Sequence, residues 1–559
     1  MYLRATQRRN KDGSLVRYVQ LAHNERVQGV TRAKVLVNLG REDQLDIDGL
    51  RRLAASITRF TDGDGGGVPA DGAPAGEFDV TEARPLGAVW LLDGLWRALG
   101  VDRALAGVLG ARRFSTDVER ILFALVANRA IDPLSKLAAS EWASCDVHIR
   151  GLEGMDEDHA YRAMDLLVEA DAEAKVQEAV FFACADLLNL EVDLLFFDTT
   201  STYFERDEPE GGEGAFRVYG HSKDHRPDLP QIVIGLAVTR EGIPVRVWCW
   251  PGNTSDMTIL PEVKDGLRGW RLGRVITVVD RGFSSDENLK YLTRAGGHWI
   301  AGERMRDGAP DVAEALQRQG RYQTVRDNLR VKEVRVGEGD AAKRFIICHN
   351  PLEAERQKTQ REDTIRRLQA ELDRIDKQRA KAKTQKAAEA HTRAECALRD
   401  HPTLGRYLRQ TPTGRLRIDR AKIAAEAKLD GKYLLSTSDP DLSAEDVALG
   451  YKNLLEAERG FRDLKTTIEL RPIFHRLEHR IRAHVLLSWL ALLLIRVAER
   501  KTDQTWRRIA LELGRLHLVT LTGPTGTFAQ TTQLTATQAD LFAACGLKPP
   551  PRITALQPA

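Results

Sequence analysis

Two short apolar runs in this chain each lead into an aspartate followed by small polar or basic residues. Phe196 to Thr202 reads FFDTTST and carries Asp198; Val278 to Ser284 reads VVDRGFS and carries Asp280. Carboxylates at strand ends stand at the open edge of a sheet, where side chains converge and a ligand can enter. One such aspartate is commonly no more than a turn former; two from one sheet are a pair of hard oxygen donors. A third acidic group lies in DVALGYKNLLEAERGFRDLKTTIE. At about 100° per residue, Tyr451, Glu458, Arg462 and Lys465 share one narrow face of a helix, with Glu456 roughly opposite. Glu458 is therefore the candidate, set against the plainer possibility of a solvated face with Glu458 and Arg462 paired one turn apart. Three carboxylates from separate elements suffice for two Mg²⁺ or Mn²⁺ ions, which take oxygen ligands. Two such ions promote in-line displacement at phosphorus by activating the attacking oxygen and stabilising the leaving one. Arg462 and Lys465 would neutralise phosphate oxygens, the arginine as a two-pronged donor and the lysine as a point charge.

The elements that must position these groups are legible as changes of pattern. Val192 to Phe197 and Val275 to Val279 are near-continuous apolar strands, as expected for strands covered on both faces. Gln231 to Thr239 and Pro244 to Trp250 are joined by Arg240-Glu241-Gly242-Ile243, which predicts a hairpin. Helical patterns alternate with these strands, predicting an α/β fold with a mixed central sheet. Ser443 to Asp446 has the form of a helix-capping start. Over 352–396 the apolar residues contract to a narrow seam, Ile365, Leu368, Leu372 and Ile375, in a highly charged background. That is a coiled-coil-like helix, one arm of a helical hairpin. The basic run Lys377 to Lys386 either lies along DNA or is a solvated face.

These patterns divide the 559 residues into a basic module over 1–60, a linker over 61–79 and a helical region over 80–190. A first core segment over 191–300, an insertion over 301–425, a second core segment over 426–520 and a loosely structured tail over 521–559 follow. The helical region has its clearest periodicity in Val118 to Val126, preceded by the cap formers Ser115, Thr116 and Asp117.

Composition bounds the remaining choices. The net charge is only +3, but residues 1–60 hold 12 Lys or Arg against 6 Asp or Glu, which suits a phosphate backbone or a plain basic surface. Six scattered cysteines form no CxxC pair and no zinc spacing, which fits a reducing compartment. MYLRATQRRNKDG has no apolar stretch of a signal peptide. Val485 to Val497 is interrupted by Arg496 and is shorter than the roughly 20 residues of a membrane span, so it reads as a buried helix. The expectation is a soluble, cytoplasmic protein with no membrane partner. His221, Lys223 and Arg226 lie in a polar loop that either touches phosphate or is merely solvated. His475, His479 and His484 read as structural or solvent-facing, and Trp248, Trp250 and Trp299 as core.

At these residues the sequence resembles the DDE transposases of bacterial insertion sequences, whose core is ribonuclease-H-like. The branch it resembles carries a Tyr-x2-Arg-x3-Glu-x6-Lys signature, and in YKNLLEAERGFRDLK the residues Tyr451, Glu458 and Lys465 fall on it. Leu454 occupies the arginine position, a departure. FFDTTST and VVDRGFS match the segments of the first and second aspartates, and 220–236 and the residues after Glu458 are also similar. The resemblance implies that Asp198, Asp280 and Glu458 are both catalytic residues and ligands of two Mg²⁺ or Mn²⁺ ions. It implies DNA contacts by Tyr451 and Lys465, to which the helix face and the polar loop add Arg462, Lys223 and Arg226 as candidate DNA-binding residues. It also implies terminal inverted repeats and target DNA as partners, a homodimer in the synaptic complex and a nucleoid-associated location. The basic and helical amino-terminal regions are then expected to bind element ends, and the long interval between Asp280 and Glu458 to hold an insertion domain. The alternatives are a nuclease on the same fold that cuts without joining, and an inactive DNA-binding scaffold.

Overall fold

A computed structural model describes residues 2–9, 15–27, 30–42, 45 and 47, and then 78–558 apart from 111–116, 170–171, 191, 206–207, 213, 271, 273–274, 307–308, 340–341, 382, 472, 474 and 525. The chain forms two compact units, Met1–Gly76 and Glu77–Ala559. In the first, β1 (Tyr2–Arg9), β2 (Leu15–Val27) and β3 (Val30–Arg41) make an antiparallel sheet in sequence order. Of the expected linker, only Phe78 and Asp79 lie among the described residues, as does Asp117 alone of the Ser115–Asp117 cap. Asp117 does cap its helix, accepting from the Arg120 N–H.

The second unit opens with β4 (Asp79–Pro85), a strand where a helical region is expected to begin. The helices α1 (Gly87–Ala98), α2 (Val101–Leu109), α3 (Val118–Ile131), α4 (Glu157–Glu169) and α5 (Ala172–Leu188) follow. Then comes the sheet that carries the aspartates. Strand β5 (Leu194–Tyr203) pairs antiparallel with β6 (Gln231–Thr239), and β6 with β7 (Pro244–Pro251), the expected hairpin. After α6 (Asp256–Arg268), β8 (Ile276–Val279) joins the other side of β5 in parallel. After α7 (Asp286–Thr293), β9 (His298–Glu303) joins β8 in parallel. The order β7-β6-β5-β8-β9, with only the second strand in sequence antiparallel to the first, is that of a ribonuclease-H-like core. Every residue of β6 is buried, and β5 nearly so, because helices cover both faces.

The insertion does not stand apart from this sheet. Strands β10 (Gln323–Arg326), β11 (Leu329–Val336) and β12 (Lys343–His349) continue it, giving nine strands in the order β10-β11-β12-β15-β9-β8-β5-β6-β7, where β15 is Lys432–Thr437. Between β12 and β15 project α8 (Pro351–Lys381) and α9 (Gln385–Arg399), the expected helical hairpin. Leu368 and Ile375 of the seam are buried against Leu398, Tyr407 and Leu408. A small ladder of β13 (Leu408–Gln410) and β14 (Leu416–Ile418) packs on them.

After β15 the chain forms α10 (Ala444–Lys452), α11 (Leu455–Thr466) and α12 (Glu478–Thr502). Ser443 caps α10 by accepting from the Asp446 N–H. The single helix expected through Tyr451 and Glu458 is two: the chain turns at Asn453 and Leu454. By length and composition α12 could cross a membrane, yet 94% of its apolar window is buried inside the protein. It packs against α3, α4 and β7, so the helical region and the sheet share one core. Residues 521–559 correct the expected loose tail. Strands β16 (His517–Gly523), β17 (Gly526–Thr531) and β18 (Ile553–Pro558) form a sheet with β4, order β18-β17-β16-β4, and the helix Ala536–Ala544 has a full capping box on Thr535 and Gln538. Threonine and glutamine there serve edge pairing and capping, which need little apolar area.

Candidate active site

Strand register fixes the centre of the site. Phe197 is paired with Val279, so the next residue of each strand, Asp198 and Asp280, come level on adjacent parallel strands. Val279 is paired with Ala301, Asp198 with Leu236, and Gly302 with Leu435. A single row therefore crosses five strands: Leu236, Asp198, Asp280, Gly302, Leu435. Asp198 is not the terminus of its strand as expected. β5 runs on to Tyr203, because Thr199, Thr200, Thr202 and Tyr203 are β-branched or aromatic strand formers and the threonines here are buried. Alternation sends Phe196 and Asp198 to the face covered by α11 and α12, and Phe197 and Thr199 to the face covered by α6.

The helices α10 and α11 lie along this row. At one end the Tyr451 hydroxyl donates to Asp280 Oδ1 at 2.6 Å. A Cβ on Gly302 would come within 2.3 Å of that hydroxyl, so only glycine leaves it room. At the other end a Cβ on Gly460 would already sit 2.8 Å from Leu236 Cδ2. In the chain Glu458 falls between these two contacts. Ala457, Gly460, Phe461 and Leu464 are the buried residues of α11, and Glu458 is exposed. Seven residues on, close to the same face, Lys465 Nζ bonds Asp224 Oδ1 at 2.8 Å, so that face is turned to the loop after β5. Glu456 is elsewhere, packed at Gly242 in the β6–β7 turn. The back of α11 is fastened by buried Arg496 of α12, which pairs with Asp463 at 2.6 Å and Glu499 at 2.7 Å.

Burial pushes the Asp198 carboxyl up to about 6, and the Asp280 and Asp256 charges add to this. The Lys223 ammonium and a backbone hydrogen bond from Thr199 act the other way. Burial, with Asp280 beside it, pushes the Tyr451 phenol well above its ordinary range, so the hydroxyl remains a donor. Asp256 is a participant that sequence reasoning missed. Its Oδ1 accepts from Thr199 Oγ1 at 2.6 Å, and its Oδ2 lies 2.9 Å from Lys223 Nζ. Lys223 Nζ also donates to the Thr199 carbonyl at 3.0 Å. Asp256 opens α6 after the cap residue Ser255, and an acidic residue in a first turn reads as simple dipole compensation.

The other expected contacts are distributed around this centre. Lys465 is half-buried; burial lowers its pKa and Asp224 raises it. Arg471 also pairs with Asp224, at 2.8 Å, and its guanidinium lies 5.0 Å from the Tyr203 ring centre, with Arg226 5.2 Å from the same ring. Arg226 also pairs with exposed Asp228. Arg462 is exposed. His475 and His484 are buried away from the carboxylates, and Trp248 and Trp250 stack in the core, both as expected. Among the described residues no three acidic, His or Cys groups lie close enough to form a ready metal cluster. The donor set nonetheless fits a hard divalent cation: two level carboxylates that repel one another, and a third, Glu458, with no ion-pair partner among the described residues.

Residues 193–494 match the transposase DDE domain. The chain belongs to that family. It is accordingly a DNA transposase, a metal-dependent enzyme that cuts and transfers DNA. Residues 3–69 match the amino-terminal domain of IS1634 family transposases, which makes this an insertion-sequence transposase. No curated protein is similar enough to count as a match. Among solved structures the chain is similar to one described as a piggyBac transposase synaptic complex with hairpin DNA. The identity is 11% and the TM-score 0.35, over 78% of this chain and 82% of the other, a likeness too distant to define the fold.

Proposed function

We propose that this DDE transposase cuts at the ends of its own element and joins the freed 3′ hydroxyl to target DNA, with Asp198, Asp280 and Glu458 as its catalytic carboxylates. One observation carries the assignment: Asp198 and Asp280 stand level on adjacent strands, and α10 and α11, the second of which carries exposed Glu458, are held to that row at Tyr451–Asp280 and Gly460–Leu236. These carboxylates would hold two Mg²⁺ or Mn²⁺ ions, which when bound activate the attacking oxygen and offset charge on the leaving one. Tyr451 keeps Asp280 in one orientation through its 2.6 Å hydrogen bond. Lys223 draws charge toward Asp198 from the opposite face of the sheet and favours its ionised, ligating form. Lys465, Arg462 and Arg226, with Arg471, bind DNA phosphates.

The module over 1–60 and the helices of 80–190 recognise the element's terminal repeats, the linker over 61–79 joins them, and two protomers bring two ends together at the nucleoid. The signature branch with tyrosine, arginine, glutamate and lysine is the kind closest to this site, with Leu454 in the arginine's position. The deciding experiment incubates the protein with Mg²⁺ and labelled DNA bearing its element ends, beside Asp198→Asn and Glu458→Gln. End cleavage and joined products from the unmutated chain alone sustain the reading. Cleavage without joining would make it a nuclease, DNA binding without any cutting a scaffold, and full activity in either variant would remove that carboxylate from the mechanism.

A further inference from the structure

The projecting part of the insertion carries a second concentration of positive charge, far from the carboxylates in sequence. Arg409, Arg415, Arg417 and Arg420 line one groove of about 670 Å³ against α8. All four are exposed, and among the described residues none of their guanidiniums has an ion-pair partner. Other arginines of the same insertion are engaged: Arg361 with Asp430, Arg374 with Glu371 at 2.8 Å, Arg399 with Asp400 at 2.8 Å. Two acidic residues share the groove. Asp419 is occupied in capping the helix Arg420–Ala427, accepting from the Ala421 and Lys422 N–H groups, and Asp376 stands on α8.

The ladder itself points to an anion. Arg409 and Arg417 are direct partners across β13 and β14. Like charges placed directly opposite destabilise a two-stranded ladder, and an anion seated between them removes that cost. The inward alternate positions, Leu408, Leu416 and Ile418, pack into the insertion's small core, so the arginine row is held outward on a fixed frame.

The topology connects this groove to the chemistry. Leu434 is paired with Glu303 and His349 with Lys432, so α8 leaves the sheet at the edge formed by the carboxyl ends of β8 and β9. That is the edge where Asp280 stands, and Tyr433, at the root of the arm, stacks on Tyr451 with ring centres 6.1 Å apart. The α8 residues lining the groove, Gln369 to Asp376, lie about 27–38 Å along the helix from Pro351 at 1.5 Å per residue. On B-form DNA that reach corresponds to about ten base pairs at 3.4 Å each.

We infer that this arginine groove is a second DNA-binding site, which holds the phosphate backbone of duplex DNA outside the segment engaged at the carboxylates. It contributes affinity and not sequence choice, because guanidiniums on phosphate read no bases. The inference rests on the transposase reading. The test measures binding of the full chain without divalent metal, so that it does not depend on catalysis. Unmutated protein, Arg409→Gln/Arg417→Gln and the single Arg415→Gln are titrated with an element-end duplex and an unrelated duplex of equal length, across salt concentrations. Removing one arginine–phosphate pair reduces the slope of log affinity against log salt by about 0.9, so the slope should fall by about 2 in the double variant and about 1 in the single. At 0.1 M salt the double variant should bind at least tenfold more weakly.

Weaker binding to both duplexes assigns the groove to duplex backbone, and weaker binding to the end duplex alone would overturn the claim that it makes no sequence choice. Unchanged slopes on both, with the unmutated chain binding normally, overturn the inference while leaving the transposase reading intact. A chain that neither binds nor cuts element ends would instead sink the transposase reading itself. Should the double variant fail to fold, Arg415→Gln alone decides, since its side chain lies outside the paired ladder positions.

Discussion

Gly460 rests directly on Leu236. Leu236 is the strand partner of Asp198, and Gly460 is two residues from Glu458, so one close approach sets how near the helical carboxylate comes to the strand carboxylate. Gly460→Ala would force a Cβ to within 2.8 Å of Leu236 Cδ2 and lift the helix. Overpacking of this kind costs about 1–3 kcal/mol. Metal-dependent cleavage should fall at least tenfold with DNA affinity kept, and Leu236→Ala in the same chain should restore part of it. Cleavage assays and thermal melts on the three forms check this; unchanged cleavage by Gly460→Ala would detach this packing from catalysis.

Tyr451→Phe removes the only side-chain hydrogen bond that Asp280 accepts among the described residues. The aspartate then has more freedom, and the Mg²⁺ concentration for half-maximal cleavage should rise several-fold while metal-free DNA affinity stays. Weakened DNA affinity with unchanged metal dependence would instead make Tyr451 a DNA-binding residue.

Asp198 must be ionised to act as a ligand, and its pKa is raised to about 6. Cleavage should therefore decline as pH falls through about 6. Because the Lys223 charge opposes this rise, Lys223→Met should move the acid limb to higher pH. A limb that stays fixed in the variant would show that Lys223 has no electrostatic hold on Asp198.

His475 is buried with its pKa lowered to about 3, chiefly by burial and then by Lys136, Arg129 and Arg480, with Asp165 opposing; His484 lies against it, ring centres 5.2 Å apart. A base whose folded pKa is depressed stays neutral in the fold while the unfolded chain takes up a proton. Its contribution is complete above about 6.5 and is lost toward pH 3, by about 1.4 kcal/mol per unit. His475→Gln should flatten the fall in melting temperature between pH 6.5 and 4.5 relative to the unmutated chain; parallel curves would contradict the assignment.

The parts of this site that were readable in the sequence are those written in local patterns. Apolar runs leading into Asp198 and Asp280 mark strands β5 and β8, and helical spacing puts Glu458 and Lys465 near one face of α11. The break at Asn453–Leu454 was hidden because the apolar spacing continues across it. Asp256 was hidden because its partners, Thr199 and Lys223, are 57 and 33 positions away and meet it only through sheet topology. Strands β10 to β12 extend the central sheet through pairing with β15, which is a long-range event. The carboxy-terminal strands were obscured by polar composition, since their sheet needs only one covered face.

Among the described residues β4, the first strand of the larger unit, has its only ladder partner in β16, a strand more than 430 positions later. The buried Arg496 that fastens α11 also comes after Asp198, Asp280 and Glu458 in the chain. A ribosome making this chain therefore delivers Asp198, Asp280 and Glu458 well before the parts that seat them. Growing chains hold these carboxylates before the elements that pack around them, so the sheet that closes on β4 forms only when synthesis is nearly finished.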